Sequence, residues 1–140
     1  MASKTILLVD DDPDDTEMFK MALQKAGSHF TCHTADNGEE ALTLLRNEPD
    51  LPPIMIFMDV SMPVMNGFEC LAEIKKDKRF ENIPVVVNSV SNLDHYKEKC
   101  RELGAHFMVK DINFEKYCDE LTSLIKGIDS EQPGLLDDVN

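Results

Sequence analysis

The stretch Thr5-Ile6-Leu7-Leu8-Val9-Asp10-Asp11-Asp12-Pro13 decides how the chain is read. A short apolar run stops abruptly at three carboxylates and a proline. Without polar alternation, such a run reads as a strand buried on both faces, the pattern of a parallel sheet covered by helices. Residues Asp14 to Ala26 follow, with Met18, Phe19, Ala22, Leu23 and Ala26 at three- and four-residue spacing. That spacing predicts an amphipathic helix, with acids at its favoured N-terminal end and Gly27 as its stop.

The same unit recurs along the chain. Phe30 to Thr34 reads as a weaker strand, and Asp36 or Asn37 caps a helix from Gly38 to Arg46 with Ala41, Leu44 and Leu45 inward. Ile54 to Met58 is a second buried apolar run, followed by a loop Asp59 to Asn66, Gly67 and a helix carrying Phe68, Leu71, Ala72 and Ile74. Val85 to Val87 is a strand opened by Pro84, and Leu93 to Leu103 a helix stopped by Gly104. Phe107 to Val109 and a helix from Phe114 to Lys126 complete the pattern, that helix burying Phe114, Tyr117, Cys118, Leu121, Leu124 and Ile125. Five βα units predict an α/β fold: a doubly wound, five-stranded parallel sheet of flavodoxin-like (βα)5 type, strand order 2-1-3-4-5. Residues 1–126 form one domain in this reading, and the polar residues 127–140 an acidic, disordered C-terminal tail.

Composition narrows the function. The 140 residues are 42% hydrophobic and 29% charged, ordinary for a globular domain. No apolar run is long enough to cross a membrane, and no secretory leader is evident at Met1 to Lys4, so a cytoplasmic location is expected. The balance of 27 acids against 14 Lys and Arg, a net charge of −13, leaves no basic face for nucleic acid. Cys32, Cys70, Cys100 and Cys118 lack the close spacing of zinc ligands and read as reduced thiols.

Ligands of such sheets bind beyond the carboxyl ends of the strands, at the switch point between strands 1 and 3. The fold would gather Asp10, Asp11, Asp12, Asp59, Asn88, Ser89 and Lys110 there. Two carboxylates ~4 Å apart repel by about 4 kcal/mol at an effective dielectric of ~20. Either one takes a proton or a hard cation enters, and with a lysine beside them Mg²⁺ is the better answer. A carboxylate beside Mg²⁺ and an ammonium can attack phosphorus, giving an aspartyl phosphate.

Four motifs carry a family resemblance: Ile6 to Pro13; Met58-Asp59-Val60-Ser61-Met62-Pro63 with Gly67; Pro84-Val85-Val86-Val87-Asn88-Ser89; and Gly104-Ala105 with Phe107-Met108-Val109-Lys110. Together they resemble the response-regulator receiver domain of two-component signalling, in its stand-alone, single-domain form. The resemblance implies a phosphorylation-dependent switch with Asp59 as phosphoacceptor, and catalysis only of its own Mg²⁺-dependent phosphorylation and dephosphorylation. It implies Mg²⁺ held by Asp11, Asp59 and the Ser61 main-chain carbonyl, with Asp10 acting through water. Ser89 and Lys110 would bind the phosphoryl group and Phe107 would be the switch aromatic. Ser61, Val90 and Ser91 would tune the kinetics. The implied partners are a sensor histidine kinase or histidine phosphotransfer protein, and a downstream protein on the face of helix 4, strand 5 and helix 5. No DNA-binding output domain is expected. The segment Asp77 to Val87 is similar to single-domain receivers that accompany sensor kinases such as bacterial phytochromes.

The sequence departs from the family pattern at three points, of which Ser61 and Ser91 at the tuning positions are one. Val90 stands where a small residue is usual, and Asp111 where proline is usual; Asp111 is placed to compete for Lys110, in a trans peptide or a strained one. Both support an alternative, a pseudo-receiver acting as a phosphorylation-independent protein-binding module. A Mg²⁺-dependent phosphatase is disfavoured because Ser61 stands where such enzymes use a second acid. Asp12, Asp14 and Asp15 read as a helix-end charge cluster, with a supporting electrostatic role at the site as the alternative, and His29 with Cys32 and His33 as surface residues on a weak strand.

Overall fold

Each apolar run of the sequence becomes a strand and each amphipathic stretch a helix, in strict alternation. The order is β1 (Lys4–Val9), α1 (Pro13–Ala26), β2 (Phe30–Ala35), α2 (Gly38–Asn47), β3 (Met55–Asp59), α3 (Gly67–Lys76), β4 (Val85–Ser89), α4 (Asp94–Leu103), β5 (His106–Val109) and α5 (Phe114–Asp137). The structure is a computed structural model. It describes residues 4–27, 29–47, 53–60, 62, 64–89, 94–111 and 113–137, with side chains to residue 128.

The five strands form one sheet in the order β2-β1-β3-β4-β5, every pairing parallel. The chain leaves β1 toward β2 and returns past β1 to β3, so the switch point lies between β1 and β3, as the alternation predicts. Two apolar layers cover the sheet. On one face Leu7, Val9, Ile56, Met58, Val85 and Val87 meet Ala41, Leu42 and Leu45 of α2, Cys70, Leu71 and Ile74 of α3, and Cys100 of α4. On the other, Ile6, Leu8, Met55, Phe57, Val86 and Met108 meet Phe19, Ala22 and Leu23 of α1 and Tyr117, Cys118, Leu121 and Ile125 of α5. Alternate residues of β1, β3 and β4 therefore serve opposite layers, which is why these runs carry no polar alternation.

The helix starts follow local chemistry. Asp12 caps α1, its side chain accepting from the Asp14 N–H at 2.9 Å, and Pro13 takes the first turn where its missing N–H costs nothing. Of the two candidate caps of α2, Asn37 serves: its Oδ1 accepts from the Glu40 N–H at 2.9 Å, while the Asp36 N–H donates to the Glu40 carboxylate. Asn66 and Glu69 form a reciprocal capping box on α3.

Boundaries shift at three places. The strands reach further than their apolar runs, because the ladder pairs Asp59 with Asn88 and Ser89 with Val109. In α2 Leu42 is buried and Leu44 only half-buried. The helix expected to stop at Lys126 continues, since Ile128 lies three residues beyond Ile125 and is buried with it. The four cysteines are free, three of them buried. No helix among the described residues is long and apolar enough to cross a membrane.

Helix α4 is lightly anchored, with Cys100 its one buried residue. In the loop after β3, Val64 adopts φ +68° with its side chain 73% exposed. A β-branched residue there is strained, because its Cβ crowds the following carbonyl. Val64→Asn is expected to stabilise the fold by about 1 kcal/mol, asparagine tolerating the left-handed region. Urea unfolding of the two proteins checks this.

Candidate functional site

The register of the sheet builds the site. Val9 pairs with Met58, Asp59 with Asn88 and Ser89 with Val109, so Asp10, Asp59, Ser89 and Lys110 end their strands at nearly one level. Strand alternation then sorts them by face. Asp10, Asp59, Asn88 and Lys110 continue the positions of Leu8, Phe57, Val86 and Met108 and fall on the α1/α5 side. Ser89 continues Val85 and Val87 toward the α3/α4 side, where half-buried Phe107, paired with Val87, packs into the same layer.

Asp10, Asp11 and Asp59 bring one carboxylate oxygen each to within 4.8 Å of one another. Asp10 is buried, Asp59 half-buried and Asp11 exposed, so the group opens to solvent on one side. An all-oxygen donor set in which one member is exposed fits a hard divalent cation that keeps several waters. Asp10 is positioned through both oxygens: Oδ1 accepts from the Asp12 N–H at 3.0 Å and Oδ2 from Lys110 Nζ at 3.0 Å. Burial pushes the Asp10 carboxyl above its ordinary value, against the pull of the Asp12 N–H and of Lys110.

Lys110 is the counter-charge. Its side chain is 6% exposed, and Nζ lies 2.9 Å from Asp15, 3.0 Å from Asp10 and 3.7 Å from Asp59. Burial works against the ammonium, but the Asp15 hydrogen bond and the charges of Asp59 and Asp10 outweigh it and raise its pKa. Deeper on the same face, the Asn88 amide donates weakly to the Tyr117 hydroxyl at 3.5 Å, and Asn88 Oδ1 has no partner among the described residues. Burial pushes the Tyr117 phenol up to about 12.

Glycine sets the approach of α3. The Gly67 N–H donates to the Val60 carbonyl at 3.0 Å, and a Cβ at Gly67 would stand 2.2 Å from the Asp59 main-chain oxygen. Only a residue without a side chain lets the helix start against the backbone that carries Asp59.

Residues 6–122 match the family model of the response regulator receiver domain. The chain belongs to that family. This receiver domain is 36% identical over 108 residues to the two-component response regulator ORR5 of Oryza sativa subsp. japonica, a match covering 76% of this chain and 78% of that one. Its fold is similar to the phosphorylated cyanobacterial phytochrome response regulator RcpA, at 30% identity and a TM-score of 0.78, covering 88% of this chain and 91% of that one. It is also similar to the Mn²⁺-bound form of the response regulator Rcp1, at 25% identity and a TM-score of 0.76, covering 86% and 91%.

The receiver fold brings Asp10, Asp11, Asp59 and Lys110 together as the sequence leads one to expect. Ser89 is buried at the end of β4 and Phe107 lies in the layer below it. Ser61, Val90 and Ser91 lie outside the described residues. Two expectations are corrected. Asp111 does not compete for Lys110: its carboxylate accepts from the Asn113 N–H at 2.8 Å and faces Lys116 at 3.5 Å. The Lys110–Asp111 peptide is trans, one of the two geometries the sequence leads one to expect. Asp15 is no mere helix-end charge, since it holds Lys110 more closely than Asp59 does. The signal for it was the helix period: Asp15 stands four residues before Phe19 and seven before Ala22, on the face turned to the sheet. The described residues hold no His/Cys metal group around His29, Cys32 and His33.

Two outcomes follow. Gly67→Ala must displace the Asp59 backbone, and a destabilisation of about 2 kcal/mol is expected from such overpacking, read by urea unfolding. Tyr117 keeps its proton when folded up to about pH 12, while an unfolded tyrosine loses it near pH 10. Stability is therefore full below pH 10 and falls by roughly 2–3 kcal/mol as pH rises to 12. Unfolding at pH 9 and pH 11.5 checks this, with Tyr117→Phe expected to lack the loss.

Proposed function

We propose that this receiver domain is a phosphorylation-dependent signalling switch that accepts a phosphoryl group on Asp59. Receiver domains of response regulators take phosphate from histidine kinases or phosphotransfer proteins, and the reading assigns this chain a donor of that kind. The observation that carries it is the placement of Asp59 between two further carboxylates and the Lys110 ammonium.

The chemistry follows from these groups. An Asp59 carboxylate oxygen attacks the phosphorus of a phosphohistidine. The new O–P bond forms as the P–N bond breaks, and the electron pair stays on the imidazole nitrogen, which takes up a proton. Asp11 and Asp59, with the Ser61 main-chain carbonyl, would hold Mg²⁺, and Asp10 would act on it through water. When bound, the cation supplies charge neutralisation at the phosphoryl oxygens. Lys110 and Ser89 offer an ammonium and a hydroxyl to the remaining oxygens. The product carries about −1.5 to −2 charge. Drawing Ser89 toward it frees space for Phe107 in the layer beneath, which changes the face of α4, β5 and α5 that a downstream protein would read. Output by protein contact or relay, and action in the cytoplasm, belong to the same reading. The pairing of Asp111 with Lys116 leaves Lys110 to the rim acids, which supports this reading over a phosphorylation-independent module.

Intact mass after incubation with acetyl phosphate and Mg²⁺ tests the reading. One added phosphoryl mass is expected in wild type and none in Asp59→Ala. Labelling should vanish in EDTA and fall at least tenfold in Asp11→Asn. Equal labelling of Asp59→Ala would overturn the site.

A further inference from the structure

We infer that Asp15 is a positioning residue that competes with Asp59 for Lys110 and so sets how readily Asp59 becomes phosphorylated. The inference rests on the switch reading above and adds to it a residue outside the cation-binding group.

Lys110 has three N–H donors. Two are spent at hydrogen-bond distance, on Asp15 Oδ2 at 2.9 Å and Asp10 Oδ2 at 3.0 Å. The phosphoacceptor is left at 3.7 Å, an ion pair without a short hydrogen bond. Phosphoryl transfer needs that ammonium on a phosphoryl oxygen, because only charge placed where charge develops lowers the barrier. The lysine must therefore give up an existing acceptor.

Asp10 and Asp15 differ in what a cation does to them. Asp10 belongs with Asp11 and Asp59 to the carboxylate group that can bind a metal, and Asp15 does not. A divalent cation held there would draw on the oxygens of Asp10 and Asp59 that face Lys110, while Asp15 stands outside that group. Asp15 is also fixed in place. It sits in the first turn of α1, whose Phe19, Ala22 and Leu23 are buried in the layer shared with α5. Its side chain is 30% exposed, so the pair is only partly screened by solvent. The contact ties the start of α1 to the end of β5 in the resting state, and phosphorylation of Asp59 would loosen it.

Two measurements test the competition. At saturating Mg²⁺, Asp15→Asn is expected to be labelled by acetyl phosphate about fivefold faster than wild type, the effect of an ion pair of ordinary strength. Asp15→Glu, which keeps the charge, is expected to return toward the wild-type rate. An unchanged or slower rate in Asp15→Asn overturns the inference, because a simple helix-end charge or a productive role for Asp15 gives those results. The second measurement needs no phosphoryl transfer. The ¹⁵Nζ resonance of Lys110 is followed as Asp59 is changed to Asn, in the wild-type and the Asp15→Asn backgrounds. Competition predicts a small shift in the first and a larger one in the second; equal shifts overturn it. Should no variant be labelled, the switch reading falls while the lysine cycle still decides the role of Asp15.

Discussion

Lys110 stands among Asp10, Asp15 and Asp59, and the carboxyl rim of the sheet depends on that one ammonium. Without it, these three acids, from the end of β1, the first turn of α1 and the end of β3, would crowd one crevice in a chain that already carries a net charge of −13. The lysine follows the last strand and reaches acids near the start of the chain, so the balance exists only once β1, β3, β4 and β5 have paired. Local structure cannot supply it. The same contact ties the first turn of α1 to the end of β5 on the α1/α5 side of the sheet.

The architecture was legible in the sequence because the physics that sets it is short-range. Continuous runs such as Ile6 to Val9 and Val85 to Val87 announce burial on both faces, and the three- and four-residue spacing of α1 announces a helix. Asp59 and Lys110 were legible as well, because a polar residue ending a buried strand has nowhere to go but the rim. The partner of Asp15 was not. Its contact spans 95 positions of sequence, and six of the eight residues from Asp10 to Glu17 are acidic, so composition singles out none of them and only the helix period marks Asp15. Asp111 misled for the opposite reason. Adjacency to Lys110 suggested an ion pair, but successive residues diverge, and the Asx-type bond to the Asn113 N–H turns its carboxylate toward α5. The end of α5 was hidden by Gly127, a residue that usually stops helices. Here Ile128 carries the apolar stripe past it.

The alternation of the strands assigns different tasks to the two faces. Charge management lies on the α1/α5 side, where Asp10, Lys110 and Asp15 meet. The hydroxyl and aromatic groups, Ser89 and Phe107, lie on the side of α3 and α4. A group attached to Asp59 sits at the one edge where both layers are within reach. The buried Asn88–Tyr117 pair extends the polar region down into the α1/α5 layer, beside Phe57, Phe19 and Leu121.

The single buried residue of α4 bears on how the molecule divides its work. The central strands β1, β3 and β4 are sealed on both faces, and changing their packing would cost the fold much of its stability. A helix held by Cys100, half-buried Leu103 and the contact of Tyr96 with Phe68 gives up less apolar contact than a sealed strand when it tilts or frays. Cooperative strength and responsiveness thus reside in separate elements of one small domain. The sheet can remain a fixed frame of reference while the outer helix samples several positions, and its exposed side chains are free to diverge without endangering the core that holds the acids in place.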